Sequence, residues 1–542
     1  MTAPRATRRD WIGLAVLALP CVLYAMDLTV LNLAVPAISA DLRPSSAQLL
    51  WIIDIYGFMV AGSLITMGTL GDRIGPRRLL LIGAAAFGIT SVLAAWSANA
   101  AMLIAARALL GLSGATLAPS TLSLIRSMFL DARQRTFAIG VWITSFSAGA
   151  AIGPVLGGLL LARFWWGSVF LLAVPVMVLI LAVGPKLLPE FRDPRPGRLD
   201  VRSAVLSLAA VLAVIYGLKQ LAQAGPNRLA AASIVAGIVL GVLFVRRQRK
   251  LANPLLDLAL FRVPAFSAAL ATYGFGIFIV FGIDIFVAQY LQLVLGLSPM
   301  RAGLWSVPSA AGFIAGSMLA PLVVRRVRPV SVMVGGLVFA AAGLGLLTRV
   351  GGSTGLAVLV TGSVVFAFGL APVFTLATDL IVGSAPPERA GAASAISETA
   401  SELGGALGIA ILGVIGTAVY RGQVTGAIPS GAATASRDTL GGAVAAAGQL
   451  PDELGAALMS AARDAFSHGL HVVAAISAGV AIGSAVVAAV MLRGAPSSDL
   501  AETEPGVAEP GAATPALVQP PAAASASAAR TAAVAGGSGG SP

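Results

Sequence analysis

The chain is poor in the residues on which most enzymes and soluble folds depend. Cys21 is its only cysteine, so an internal disulfide and a cysteine-built metal cluster are both excluded. Its two histidines, His468 and His471, stand together near the start of the last apolar stretch and read as an interfacial pair. An intramembrane hydrolase would need a buried Ser/His pair or a metal cluster, and this placement offers neither. Only 11% of residues are charged, against about a quarter in a typical soluble domain. There is no Gly-x-x-x-x-Gly-Lys-Ser/Thr loop, so drive by ATP within this chain has no support and the energy must come from an ion gradient. Ten-residue segments of alternating polarity are missing too, which sets aside a membrane β-barrel.

What the chain has instead is apolar length. Of its 542 residues 57% are hydrophobic, and the mean hydropathy is +0.91. Stretches of about 20 apolar residues recur from end to end, each long enough to cross a bilayer. No water in the bilayer core can satisfy exposed backbone groups, so these spans must be helices, giving an all-α integral membrane protein. The formal charge of +12 invites a nucleic-acid partner, but the basic residues lie in short loops where they set membrane orientation. The basic N-terminus (Arg5, Arg8, Arg9) leads into an apolar stretch from Trp11 that is longer than a signal-peptide core and lacks a small-residue cleavage site. It reads as a retained first span.

Fourteen spans are expected, near 11–34, 49–70, 79–97, 101–125, 137–161, 167–187, 201–220, 229–246, 266–295, 303–323, 330–348, 355–382, 391–417 and 469–492. Alternate loops are basic: Arg73, Arg77 and Arg78; Arg126, Arg133 and Arg135; Lys186 to Arg202; Arg246 to Lys250; Arg325, Arg326 and Arg328. That alternation places both termini in the cytoplasm. Two polar connectors, 189–202 and 246–262, divide the spans six, two and six. The expected units are an N-terminal bundle over 1–188, two linker spans within 189–250 and a C-terminal bundle over 251–493. The linker spans hold little charge beyond Lys219 and read as filler or lipid-facing helices. Residues 421–467 read as a long external loop with a short surface helix over 450–466, and the Ala/Pro/Gly/Ser-rich tail from 494 to 542 reads as disordered. Heavy use of Arg, Ala and Gly with little Lys suggests a GC-rich bacterial genome, hence a bacterial cell (inner) membrane.

Ionisable groups inside a span are costly, which makes each a functional candidate. Asp27 lies roughly 24 Å into the first span and Arg107 about 9 Å into the fourth, at about 1.5 Å per residue. Asp54 sits about one turn inside the outer edge of the second span. All three fall in the outer half of the first six spans, where a purely structural Asp–Arg pair is an alternative reading for Asp54, Arg107 and Asp27. In the second six, Asp284 falls in span nine, and Glu398 and Glu402, four residues apart, share one face of span thirteen. Two carboxylates that close repel, and burial disfavours the charged form of both, so either can carry a proton. Asp379, near the inner end of span twelve, reads as structural. Tyr24, Tyr56, Trp142 and Phe146 are candidate aromatic partners for a cation. Finally, Gly149, Gly153, Pro154, Gly157 and Gly158 crowd span five. Small residues four apart flatten a helix face for close approach, and the proline favours a bend.

Several of these segments resemble known motifs. Gly68-Thr-Leu70-Gly71-Asp72-Arg73-Ile-Gly75-Pro76-Arg77-Arg78 resembles the cytoplasmic loop signature of the major facilitator superfamily, with Pro76 in place of the usual basic residue. The resemblance implies a conformational latch of Asp72 with Arg73, Arg77 and Arg78. Arg107-Ala-Leu-Leu-Gly111 is similar to the fourth-span motif linked to proton transfer, and the Gly149–Gly158 run to the fifth-span motif of exporters. Asp27-Leu-Thr29-Val-Leu-Asn32-Leu-Ala34-Val-Pro36 resembles the first span of the fourteen-span drug:proton antiporters. Trp51–Tyr56, Pro119–Arg126 and Ser394–Gly405 resemble QacA-type quaternary-ammonium exporters, and the likeness runs from about residue 10 to 492. It implies a major facilitator fold, normally monomeric, that exports hydrophobic cationic drugs against protons without a cofactor. Proton coupling and cation recognition then fall to Asp27 and Glu398, with Asp54 and Glu402 beside them. Some QacA-type pumps carry an acid in span ten where this chain has Phe313, and Asp284 is a candidate substitute. The alternatives are a narrow exporter of an endogenous natural product and, more remotely, a membrane enzyme or a sensor. A sensor would need a soluble output domain that no loop here can form.

Overall fold

A computed structural model describes residues 5–190, 200–225, 227–251, 254–351, 354–386, 389–424 and 439–493. Among these residues there is no strand, and fourteen helices are long and apolar enough to cross a membrane, as the sequence predicts. The first six are α1 (Arg8–Leu42), α2 (Ser46–Ile74), α3 (Pro76–Ala95), α4 (Ala100–Met128), α5 (Ala132–Arg163) and α6 (Ser168–Leu187). Two follow as α7 (Val201–Ala224) and α8 (Arg228–Gln248). The last six are α9 (Pro264–Val294), α10 (Pro299–Val323), α11 (Pro329–Leu347), α12 (Gly355–Ser384), α13 (Ala390–Val424) and α14 (Asp452–Met491).

Local chemistry sets the helix ends. Thr7 with Asp10 and Ser45 with Gln48 form capping boxes that satisfy the first free amides of α1 and α2. Prolines open α3, α9, α10 and α11, where a missing N–H costs nothing. Gly75 joins α2 to α3 at φ 102°, a conformation that L side chains avoid. The fourth helix is not continuous. It relaxes at Ala115 and Thr116, where Pro119 has no N–H to give the Ala115 carbonyl and the Thr116 hydroxyl donates to Ser113 O (2.7 Å).

Glycine faces let the helices approach. A Cβ on Gly149 would strike the backbone of Val22 on α1, and one on Gly157 would lie 2.6 Å from Val30 Cγ1. Gly153, between them, is buried. The fifth helix therefore lies flat on α1 as its spacing predicts, and it runs unbroken through Pro154. Gly158 falls outside this pattern: it points to open space. Similar close approaches bring α2 to α13 at Gly68 and Gly391, and α9 to α13 at Gly274 and Gly404.

Two regions depart from expectation. The outer segment after span thirteen is more helical than a loop of 421–467. Helix α13 runs to Val424, a short helix covers Leu440–Ala447, and the predicted surface helix is the first part of α14 itself. Leu458, Ala462 and Phe466 on that part are buried, and Phe466 meets Phe286 of α9 (5.8 Å between rings), so the same apolar face continues outward without a break. The linker helices also differ from one another. Val235, Ile238 and Val242 of α8 are exposed, as a lipid-facing helix requires, whereas α7 packs against both α2 and α13. Arg247 at the end of α8 donates two hydrogen bonds to Asp200 at the start of α7 (2.7 and 3.0 Å), which holds that carboxyl well below the usual carboxylate range. The tail expected to be disordered, 494–542, lies outside the described residues.

Candidate functional site

Arg107 is among the most buried side chains in the molecule, 1% exposed. Its Nε donates to the carbonyl of Ile52 (3.0 Å) and one Nη to that of Ile53 (3.4 Å), which fixes the guanidinium against α2. The remaining Nη donates to Asp27 Oδ2 at 2.8 Å. Its central carbon stands 4.9 Å from the ring centre of Tyr56. A Cβ at Gly111 would collide with the Tyr56 carbonyl, so the Arg-x-x-x-Gly spacing is what brings the guanidinium to α2. Of the two aspartates that the sequence offers as partners, Asp27 thus takes the arginine and Asp54 pairs elsewhere. On its other side Asp27 lines a cavity of about 20 Å³ with Met26, Phe87, Ser91 and Phe170. That is room for about one water.

The four candidate aromatics form one chain. Tyr56 and Tyr24 lie 6.0 Å apart between ring centres, Tyr24 and Phe146 5.9 Å, and Phe146 and Trp142 4.8 Å. Trp142 is tethered by its Nε1, which donates to Thr121 Oγ1 (2.9 Å). The Tyr24 hydroxyl donates to Glu402 Oε1 at 2.8 Å, so a tyrosine of α1 reaches a carboxylate of α13 across the interior. Glu398, one turn away on the same helix, lies within electrostatic reach of Cys21, Tyr24, Tyr273 and Glu402. Asp27, Arg107, Tyr24, Tyr56, Glu398 and Glu402 are therefore brought together, from α1, α2, α4 and α13.

Asp54 belongs to a neighbouring patch with an unanticipated partner. It is ion-paired with Lys219 of α7, whose ammonium also stands 4.9 Å from the centre of the Phe58 ring. The sequence signal was there, because a lysine within an apolar span carries the same cost as an aspartate. Asp284 is not part of the cluster. It lies on the exposed side of α9, roughly 16 Å along the helix from Tyr273 at about 1.5 Å per residue. Phe313 stands 6.0 Å between ring centres from Phe374, which in turn stands 5.3 Å from Tyr273.

The loop between α2 and α3 makes a second construction at the face that bears the basic loops. Asp72 accepts hydrogen bonds from the backbone amides of Gly391 and Ala392, both 2.8 Å, at the free N-terminus of α13. A carboxylate there meets unpaired amides and the positive end of the helix dipole. Arg77 and Arg78 do not join Asp72. Both pair with Glu190 (2.9 and 3.9 Å), and Arg77 also donates to Leu188 O (3.1 Å) beyond the end of α6. Glu190 went unremarked in the sequence because it lies outside every motif. A parallel tie joins α5 to α12: Arg135 Nε to Asp379 Oδ1 at 2.8 Å and the Thr136 hydroxyl to Oδ2 at 2.5 Å. Asp379 therefore bridges helices rather than capping one. Among the described residues no three His, Cys, Asp or Glu side chains group as metal ligands.

The comparisons with known proteins point one way. The family described as the Major Facilitator Superfamily matches residues 17–409. The chain is 44% identical over 493 residues to the multidrug efflux pump LfrA of Mycolicibacterium smegmatis, covering 90% of this chain and 97% of that one. It is 37% identical to the methyl viologen resistance protein SmvA of Salmonella typhimurium, covering 87% and 96%. In fold it is similar to the crystal structure of the human organic anion transporter MFSD10, with a TM-score of 0.58 at 15% identity over 89% of this chain and 99% of that one.

Proposed function

The chain belongs to the Major Facilitator Superfamily, and on that premise we propose that it exports hydrophobic organic cations across a bacterial cell membrane in exchange for protons. The observation that carries this reading is the Tyr24–Glu402 hydrogen bond beside the Asp27–Arg107 pair. It sets carboxylates from α1 and α13 at one aromatic-lined interior, and a carboxylate holds either a proton or a cation but not both. The likeness to the multidrug efflux pump LfrA and the methyl viologen resistance protein SmvA supports export as the direction and drug-like molecules as the cargo.

In this scheme a cation enters the interior when Glu398 and Glu402 are ionised, and the aromatic chain holds its flat face. Proton uptake on the carboxylates releases it. Exchanging a monocation for one proton is electroneutral, whereas exchange for two protons also uses the membrane potential, about 2.3 kcal/mol per charge per 100 mV. The Asp72 and Asp379 ties close the basic face, and their rupture opens it. Those basic loops place that face and both termini in the cytoplasm. The protein works as a monomer, and its power comes from the gradient rather than from a cofactor.

The test uses inverted membrane vesicles with an imposed pH gradient. Ethidium added outside should collapse the gradient and accumulate within. Folded protein that moves no member of a broad cation panel would leave a superfamily exporter of some narrower natural product and end the multidrug reading. Replacing Glu398→Gln should change the pH dependence of transport; an unaltered profile removes Glu398 from the proton step.

A further inference from the structure

Lys219 is an intramembrane cation that the exchange above does not use. It sits on α7, which fills the seam between α2 and α13 with Ile215 against Phe58 and Ala61, and filling a seam needs no charge. A lysine here is costly, so it demands a reason. Its ammonium pairs with Asp54 of α2, stands over the Phe58 ring and lies within electrostatic reach of Glu402 of α13. Beside it Trp51 lies parallel to Tyr216, 6.4 Å between ring centres with 12° between planes. Gln220 donates to the Tyr216 hydroxyl (3.2 Å).

A carboxylate with aromatic faces around it is the recognition chemistry that an aromatic ammonium or pyridinium ion requires. Here that chemistry is already satisfied from within. The tether is also a loose one: the side chain is 37% exposed, and a flexible four-carbon stem carries a point charge. We propose that Lys219 is a resident counter-cation, occupying the Asp54 site while no cargo is bound and displaced from it by an incoming aromatic monocation. This inference rests on the export reading for the nature of the cargo. It gives the site two properties. The empty transporter keeps Asp54 neutralised, so small inorganic cations find no free carboxylate. A cargo must outcompete a tethered ammonium, which selects for flat cations whose stacking on Trp51 and Phe58 adds to their charge.

The experiment measures ethidium binding by fluorescence polarisation to the full-length protein in lipid nanodiscs at fixed pH and salt. Lys219→Met removes the charge and keeps the stem. It should tighten binding about ten-fold, and Lys219→Arg should stay within about three-fold of wild type. In an Asp54→Asn background the tightening should vanish, because the carboxylate to be freed is gone. Wild-type or weaker affinity in Lys219→Met with an unchanged melting temperature overturns the proposal, as does tightening that persists without Asp54. Lys219→Gln is the second variant should methionine unsettle the seam, with the same expectation. A wild-type protein that binds no cation of the panel sinks the export reading and this proposal with it; a wild type that binds while neither variant tightens sinks the proposal alone.

Discussion

Two aspartates sit on neighbouring helices, each paired with a base from another helix, and they are held in opposite ways. Asp27 meets an arginine that is 1% exposed and pinned by two backbone carbonyls and a tyrosine ring. Asp54 meets a lysine that is 37% exposed, with one carboxylate and one ring face as its contacts. The first pair has the marks of a fixture, since each of the three guanidinium nitrogens donates a hydrogen bond. The second can exchange its partner. Burial and donor geometry, rather than the sign of the charges, separate a pinned pair from a loosely tethered one.

The sharpest way to test that contrast is to remove the arginine. Arg107→Ala strands a buried carboxylate and two carbonyls and should cost about 3–5 kcal/mol, read as a large fall in the thermal midpoint of the purified protein. Asp27→Asn keeps an acceptor for the guanidinium but leaves it uncompensated, so a loss of about 1–3 kcal/mol is expected. The same variant should lose proton-coupled ethidium uptake, and wild-type transport by it would take Asp27 out of the mechanism. The smallest stability effect belongs to the other pair: Asp54→Asn or Lys219→Met should cost less than either change at the first pair, because these partners are only partly buried and held by fewer bonds. Comparable losses at Arg107 and Lys219 would dissolve the distinction.

The fold was largely legible. Apolar runs and basic loops are local signals, and they placed all fourteen helices to within a few residues, apart from the outward extensions of α1, α13 and α14. The glycine spacing on α5 was legible for the same reason, with Gly158 the exception that three-dimensional direction exposes. Partner choice was not. Asp27 rather than Asp54 takes Arg107, and Asp54 takes a lysine 165 residues away, because helix packing decides which charges meet. Motif boundaries misled as well: the arginines after Gly75 share a signature with Asp72, yet turn to Glu190 on another segment.

One detail of the inner tie bears on heredity. The Asp72 carboxylate grips two peptide amides at the start of α13, so that part of the fastening belongs to the main chain rather than to any side chain of α13. Its immediate neighbour has little latitude either, since a methyl group at Gly391 would crowd the Asp72 carboxylate. Under the proposed export, changes at Trp51, Phe58 or Tyr216 that suit a new cargo would leave this tie untouched.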